Sequence, residues 1–131
     1  MEKSLVEKLC TRNILIIDDD GMITRTLCAL LRRSGYFATG AEDGSSAIDE
    51  AGETNYDLII ADIRMPVMDG VEAIEKIRAR CKEQNKTEVP VVFITGHADD
   101  ESVRRAKQLG EVLFKPFDTS EFLNRIEKYL D

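Results

Sequence analysis

The sequence predicts an α/β domain in which a parallel sheet of five strands lies between two layers of helices, and three observations carry that expectation. Aliphatic runs such as Asn13 to Ile17, Leu58 to Ala61 and Val91 to Ile94 are unbroken by charge, as strands buried on both faces must be. Segments with apolar residues at helical spacing alternate strictly with these runs, which implies parallel strands joined by right-handed crossovers. At 131 residues there is room for one such core and no second folding unit.

Residues 1 to 12 form an N-terminal extension in which Leu5, Val6, Leu9 and Cys10 stand near helical spacing, either as a short amphipathic turn or as a frayed end. The domain is expected over residues 13 to 131. Its first strand, Asn13 to Ile17, ends on Asp18, Asp19 and Asp20. Ile23, Leu27, Leu30 and Leu31 then mark a helix from Gly21 to Ser34, capped by Asp20 and closed by Gly35. Tyr36 to Ala41 is short and of mixed polarity, as suits an edge strand, and Asp43-Gly44 introduces a weak helix over Ser45 to Glu53. The third strand runs into Asp62.

Val71, Ile74, Ile77 and Cys81 describe the next helical face, and Lys82 to Glu88 reads as a surface connection. Val91 to Ile94 is a buried strand ending on Thr95-Gly96. Asp99 to Leu109 carries acids first and Arg104, Arg105 and Lys107 later, as a helix dipole favours, with Gly110 as its C-terminal cap. Val112 to Phe114 is a short strand leading to Lys115-Pro116, and Asp118 begins a final helix with Phe122, Leu123, Ile126 and Leu130 on one face.

Composition excludes several classes. With 43% hydrophobic and 33% charged residues the chain is that of a soluble globular protein. A formal net charge of −7 opposes nucleic acid binding. No apolar segment approaches the roughly 20 residues that span a bilayer, and Met1 to Arg12 lacks the core of a secretory signal, so no membrane association and a cytoplasmic location are expected. Cys10, Cys28 and Cys81 have no partner at metal-ligand spacing and read as reduced thiols.

Four strands end on polar residues: Asp18 and Asp19, Asp62, Thr95 and Lys115. One acid after a strand is ordinarily a helix cap. Four such ends, however, open on the same rim of a parallel sheet, where α/β folds build their sites. Three carboxylates within about 5 Å repel by roughly 3 kcal/mol per pair at an effective dielectric near 20. An oxygen-preferring divalent cation such as Mg²⁺ keeps all three ionised, and Lys115 adds positive charge from the side.

Together, the aliphatic strand before Asp18 and Asp19, the run Asp62-Ile63-Arg64-Met65-Pro66-Val67-Met68-Asp69-Gly70, the strand ending in Thr95, and Lys115-Pro116-Phe117 resemble the receiver domain of bacterial-type response regulators. The resemblance implies a flavodoxin-like, doubly wound (βα)5 sheet in the order 2-1-3-4-5. It implies that Asp62 accepts a phosphoryl group from a phosphohistidine on a sensor histidine kinase or phosphotransfer protein. It makes Asp19 and Asp62 direct Mg²⁺ ligands, Asp18 a ligand through water, and the Arg64 backbone carbonyl the third protein ligand. Thr95 and Lys115 would hold the phosphoryl oxygens. Such a domain is regulatory, catalysing only its own phosphorylation and dephosphorylation, and it signals to a protein target through the face of the fourth helix, fifth strand and fifth helix.

The chain departs from the family pattern at one place. The aromatic residue three positions before the lysine is here Val112, and the Gly110 to Lys115 connection is about two residues shorter than usual. Phe114 shares a strand face with Val112 and either substitutes for that aromatic or is a core phenylalanine. His97 and Arg64 occupy loop places where the family varies residues that tune phosphoryl loss; a solvated role is the simpler expectation for His97. Asp69-Gly70 reads as a turn and helix start, and Arg104, Arg105 and Lys107 as a solvated face or a partner patch.

A stand-alone module is expected, since no effector sequence follows Asp131, with a receiver cut from a larger regulator or hybrid kinase as the alternative. Two further readings compete: a receiver-like module that is never phosphorylated, and a haloacid-dehalogenase-like phosphohydrolase using the Asp-x-Asp at Asp18 and Asp20. The short chain and the residue at position 22, a Met, disfavour the last.

Overall fold

The structure is a computed structural model that describes residues 12–96 and 101–130; the extension up to residue 11 with Cys10, and His97, Asp99 and Asp100, lie outside the described residues. Strands β1 (Asn13–Ile17), β2 (Phe37–Ala41), β3 (Leu58–Asp62), β4 (Val91–Thr95) and β5 (Glu111–Phe114) alternate with helices α1 (Gly21–Arg33), α2 (Gly44–Glu53), α3 (Gly70–Glu83), α4 (Glu101–Leu109) and α5 (Thr119–Leu130). The sheet is wholly parallel in the order β2-β1-β3-β4-β5, the order the resemblance implies.

Successive side chains of a strand point to opposite faces, so each strand feeds two cores. On one face Leu15, Ile17, Ile59, Phe93 and Val91 pack with Ala47, Val71, Ile74, Ile77, Val103 and Ala106 of α2, α3 and α4. On the other Ile14, Ile16, Ile60, Val92 and Leu113 pack with Leu27 and Leu31 of α1 and Phe122 and Ile126 of α5. β1, β3 and β4 are covered on both sides, which is why their runs carry no polar alternation.

Three predicted boundaries shift for local reasons. The Tyr36 N–H is consumed by the Leu31 carbonyl (3.0 Å) in closing α1 over Gly35, whose φ of 97° suits a residue without a Cβ, and β2 therefore starts at Phe37. Asp118 is not the first helical residue of α5 but accepts from the Glu121 N–H at 2.8 Å, so it acts as a cap. Gly110 continues the α4 ladder, donating to the Ala106 carbonyl at 2.9 Å, and alone connects α4 to β5. A Cβ there would stand 2.3 Å from the Val91 carbonyl oxygen, so close approach, and not a cap conformation, requires glycine.

In the β3–α3 loop the Met68 N–H donates to the Pro66 carbonyl at 2.8 Å and Val67 between them has φ 69°, a γ-turn of the strained, positive-φ kind on a β-branched residue. Val67 is fully exposed, at 106%, so no packing offsets the strain. Val67→Gly is therefore expected to stabilise the fold by roughly 0.5–1 kcal/mol, because relief of strain exceeds the extra freedom of the unfolded chain. Denaturant midpoints of the two proteins measure this, and an unchanged or lower midpoint would show that the turn is unstrained.

Candidate functional site

Asp18, Asp19 and Asp62 converge at the carboxyl ends of β1 and β3, where their oxygens approach within 4.8 Å of one another. These strands are adjacent in the sheet, which is how acids 44 positions apart meet. Asp18 extends the β1 ladder by one residue, its N–H donating to the Ala41 carbonyl at 3.1 Å, and this draws its side chain into the rim, where it is 1% exposed. Its Oδ1 accepts from the Asp20 N–H at 2.9 Å, while its Oδ2 has no hydrogen-bond partner among the described residues. Asp19 is exposed.

Asp20 has a different job. Its carboxylate accepts from the Met22 N–H at 3.0 Å and from the Ile23 N–H at 3.5 Å, capping α1. The second acid of the Asp-x-Asp is thus committed to a helix end and is absent from the acid cluster, which removes the geometric basis of the phosphohydrolase reading.

Asp62 closes β3 at 8% exposure. Burial foremost, then repulsion from Asp18, raises its carboxyl from an ordinary 3.8 to about 6, despite the opposing pull of Lys115 and a hydrogen bond from the Arg64 backbone. Asp18 is also raised, chiefly by burial, with the Asp20 hydrogen bond and Lys115 opposing. The Arg64 side chain is exposed.

Thr95 ends β4 at 2% exposure, and its carbonyl accepts the Lys115 N–H at 2.8 Å, so β4 delivers both residues to the rim. Lys115 is half-buried. The segment beyond it, which contains a cis Lys115–Pro116 bond, is anchored by Phe117 stacking on Phe122 with ring centroids 5.7 Å apart. Three carboxylates against one ammonium leave an excess of two negative charges, the charge of one divalent cation. The all-oxygen donor set and the orphaned Asp18 Oδ2 fit a hard cation such as Mg²⁺.

The sequence reasoning did not single out Thr24 or Gly70 for the site. Thr24, 6% exposed, donates its hydroxyl to the Asp18 carbonyl at 3.2 Å and ties α1 to the acid-bearing loop; a threonine inside a helical pattern gives no signal of that contact. The turn reading of Asp69-Gly70 is incomplete: Asp69 does cap α3, accepting from the Glu72 N–H at 2.8 Å, but Gly70 lies against the Asp62 carbonyl.

On the far side of Thr95, Val112 pairs with Phe93 and packs at the margin of the core, while Phe114 pairs with Thr95, is 36% exposed and lies beneath the Lys107 ammonium, 5.8 Å from the ring centroid. The core-phenylalanine alternative is therefore incorrect. In the basic patch, Arg104 pairs with Glu101 at 3.7 Å and Arg105 with Glu75 at 2.5 Å, as a solvated face would. α5 flanks the same strand through Tyr129 and Arg125, both bonded to Glu111.

A family model described as the response regulator receiver domain matches residues 14–127. The response regulator receiver protein CpdR of Brucella abortus is 35% identical, the match covering 91% of this chain and 97% of CpdR. Against the transcriptional regulatory protein ResD of Bacillus subtilis identity is 33%, over 89% of this chain but 47% of ResD, so the chain spans about half of some relatives. Among solved structures, chemotaxis protein CheY4 of Vibrio cholerae superposes with a TM-score of 0.81 at 28% identity, covering 92% of this chain and 99% of that one. The receiver domain of a sensor histidine kinase from Pseudomonas aeruginosa, with a magnesium ion coordinated in its active site cleft, gives 0.77 at 30% identity, covering 92% and 98%. Response regulator TrrA of Thermotoga maritima, in complex with Mg²⁺ and BeF, gives 0.79 at 29% identity, covering 92% and 100%.

Proposed function

The chain belongs to the response regulator receiver domain family, and from that premise we propose that it is a stand-alone phosphoacceptor: Asp62 takes a phosphoryl group from a phosphohistidine on a histidine kinase or phosphotransfer protein. The observation that carries this reading is the cluster of mutually repelling carboxylates, Asp18 and Asp62 buried and Asp19 exposed at its mouth, with Lys115 beside it. The near full-length match to CpdR supports the stand-alone form.

The ionised Asp62 carboxylate attacks the donor phosphorus in line, a P–O bond forms, the P–N bond breaks and the imidazole nitrogen leaves with the electron pair. Such a transfer needs positioning and charge neutralisation more than a general acid or base. Asp18, Asp19, Asp62 and the Arg64 carbonyl would hold Mg²⁺, which supplies the positive charge that keeps the carboxylates ionised and balances the phosphoryl oxygens. The Lys115 ammonium and the Thr95 hydroxyl donate to those oxygens. Water attack on the acyl phosphate returns the carboxylate, so the domain resets itself without being an enzyme for another substrate.

Phosphorylation adds about −1.5 to −2 charge at the rim. Its readout is a change in protein binding at the face formed by α4, β5 and α5, where Phe114 sits in register with Thr95. Acidic net charge supports a protein target over nucleic acid, and membership of the receiver-domain family supports a cytoplasmic setting.

Mg²⁺ with beryllofluoride, the additions found with TrrA, tests the site directly. The amide resonances of Thr95 and Lys115 are expected to shift in the wild type and to stay in place in Asp62→Asn. Unshifted wild-type resonances would remove the reading.

A further inference from the structure

At the end of the sheet opposite the acid cluster, where the strands begin, a cavity of about 370 Å³ opens between α2 and α3. Ile59 and Ile77 of the core form its floor, and Ala51, Cys81 and Val89, which pack on that core without being closed off from solvent, form its sides. Both walls are held by their own hydrogen bonds, so the space does not close by collapse. On one wall the Thr54 N–H donates to the Glu50 carbonyl at 3.0 Å and the Tyr56 hydroxyl to Glu50 Oε1 at 2.6 Å, which fixes the turn from α2 into β3. On the other the Lys86 N–H donates back to the Cys81 carbonyl at 2.8 Å across Asn85, whose φ of 57° an asparagine accepts. A polar occupant would lose its hydrogen bonds to water at such a floor; an apolar one loses nothing.

The chain itself arrives at the lip of this cavity. The Asn13 N–H donates to Asp57 Oδ2 at 2.8 Å, the Asn13 side chain donates to the Asn55 carbonyl at 3.3 Å, and the Arg12 guanidinium stands 3.8 Å from the Asp57 carboxylate. Asn55 is one of the residues that line the cavity. Asn13 also shares a strand face with Leu15 and Ile17, members of the core on which the cavity opens, so residues 1–11 join the fold on that side of the sheet. Within them Leu5, Val6, Leu9 and Cys10 recur at helical spacing, with Ser4 and Thr11 opposite. Leu9 stands four positions before Asn13, so at most about 14 Å of chain separates it from its anchor.

We propose that residues 5–10 of this chain dock back on the domain, with Leu5 and Leu9 entering the cavity between α2 and α3. The segment then closes the core at the amino ends of the strands, the end remote from Asp62. The inference is independent of the acceptor role of Asp62.

The test reads the thiol of Cys81, which lines the cavity, against that of Cys28, which is buried in the other core. Three full-length proteins, all carrying Cys10→Ser, are alkylated with iodoacetamide and followed by peptide mapping: the parent, the double variant Leu5→Asp with Leu9→Asp, and the charge-matched double variant Ser4→Asp with Thr11→Asp. Loss of the two leucines is expected to speed alkylation of Cys81 about tenfold, less than full burial of one leucine would give. The Ser4/Thr11 variant should match the parent, Cys28 should stay unreactive in all three, and the rates should not change on tenfold dilution. In amide spectra the leucine variant should shift Ala51, Asn85 and Val89 and leave Leu27 and Phe122 of the other face in place. An unchanged Cys81 rate overturns the proposal, as does equal acceleration by both double variants, which would be an effect of charge. Acceleration of Cys28 alongside Cys81 overturns it too, since the segment would then support the whole domain and not this cavity. Protection of Cys81 that fades on dilution would place the segment of a second copy there and overturn docking within one chain.

Discussion

Replacing Asp62 by asparagine is expected to stabilise the cation-free protein at pH 8 by on the order of 3 kcal/mol and to change its stability little at pH 4. The carboxyl titrates at about 6 in the fold against an ordinary 3.8, and each unit is worth about 1.4 kcal/mol. Because the folded value is the raised one, the acid's contribution is fully present below about pH 3.8 and is lost as pH climbs through 6. Asparagine does not titrate and so escapes the loss. Asp18 is raised in the same direction, chiefly by burial, and the repulsion between Asp18 and Asp62 disappears once Asp62 is replaced by a neutral side chain. Urea unfolding in EDTA at the two pH values measures the effect, and Mg²⁺ should return the wild type toward the variant by binding only the folded form. Equal stabilisation at both pH values would mean that packing, and not charge, is responsible.

Gly70→Ala is expected to cost about 3 kcal/mol or more, the scale of overpacking where nothing can yield. A Cβ at this position would lie 2.0 Å from the Asp62 carbonyl oxygen and 2.9 Å from its carbon, all backbone atoms of β3. Relief requires moving either the start of α3 or the end of β3, and the second displaces the nucleophile. Gly96→Ala provides the control: among the described residues no atom lies within 4 Å of its would-be Cβ, and its effect should stay within about 0.5 kcal/mol. Denaturant melts of both variants decide the matter, and a Gly70→Ala protein as stable as the control would contradict the close contact.

Much of this molecule is legible in the sequence because its strands are buried on both faces. Leu58 to Ala61 and Val91 to Ile94 cannot be solvated, and the acid, threonine and lysine at the strand ends must then share a rim. The strand order was implied by the family resemblance alone, since periodicity says which segments are strands and not which are neighbours. Less legible were contacts set by backbone proximity. Nothing in the letters of Gly70 or Gly110 tells a turn or cap from a close approach, because the partner, the Asp62 or Val91 carbonyl, is remote in sequence or on another element. Val67 looked like an ordinary loop residue, since its φ follows from clamps on both of its sides. Phe114 was ambiguous because period two fixes a strand face but not the depth at which the residue emerges; pairing with Thr95 at the strand end puts it at the surface.

The central claim is that Asp62 is the phosphoryl acceptor of a cation-dependent site. Incubation with acetyl phosphate followed by intact mass and peptide mapping tests it most directly. The account predicts the gain of a single phosphoryl group on the peptide containing Asp62, dependent on Mg²⁺, lost in EDTA and absent from Asp62→Asn. No gain in mass with Mg²⁺ present, or a gain that persists in Asp62→Asn, would contradict it.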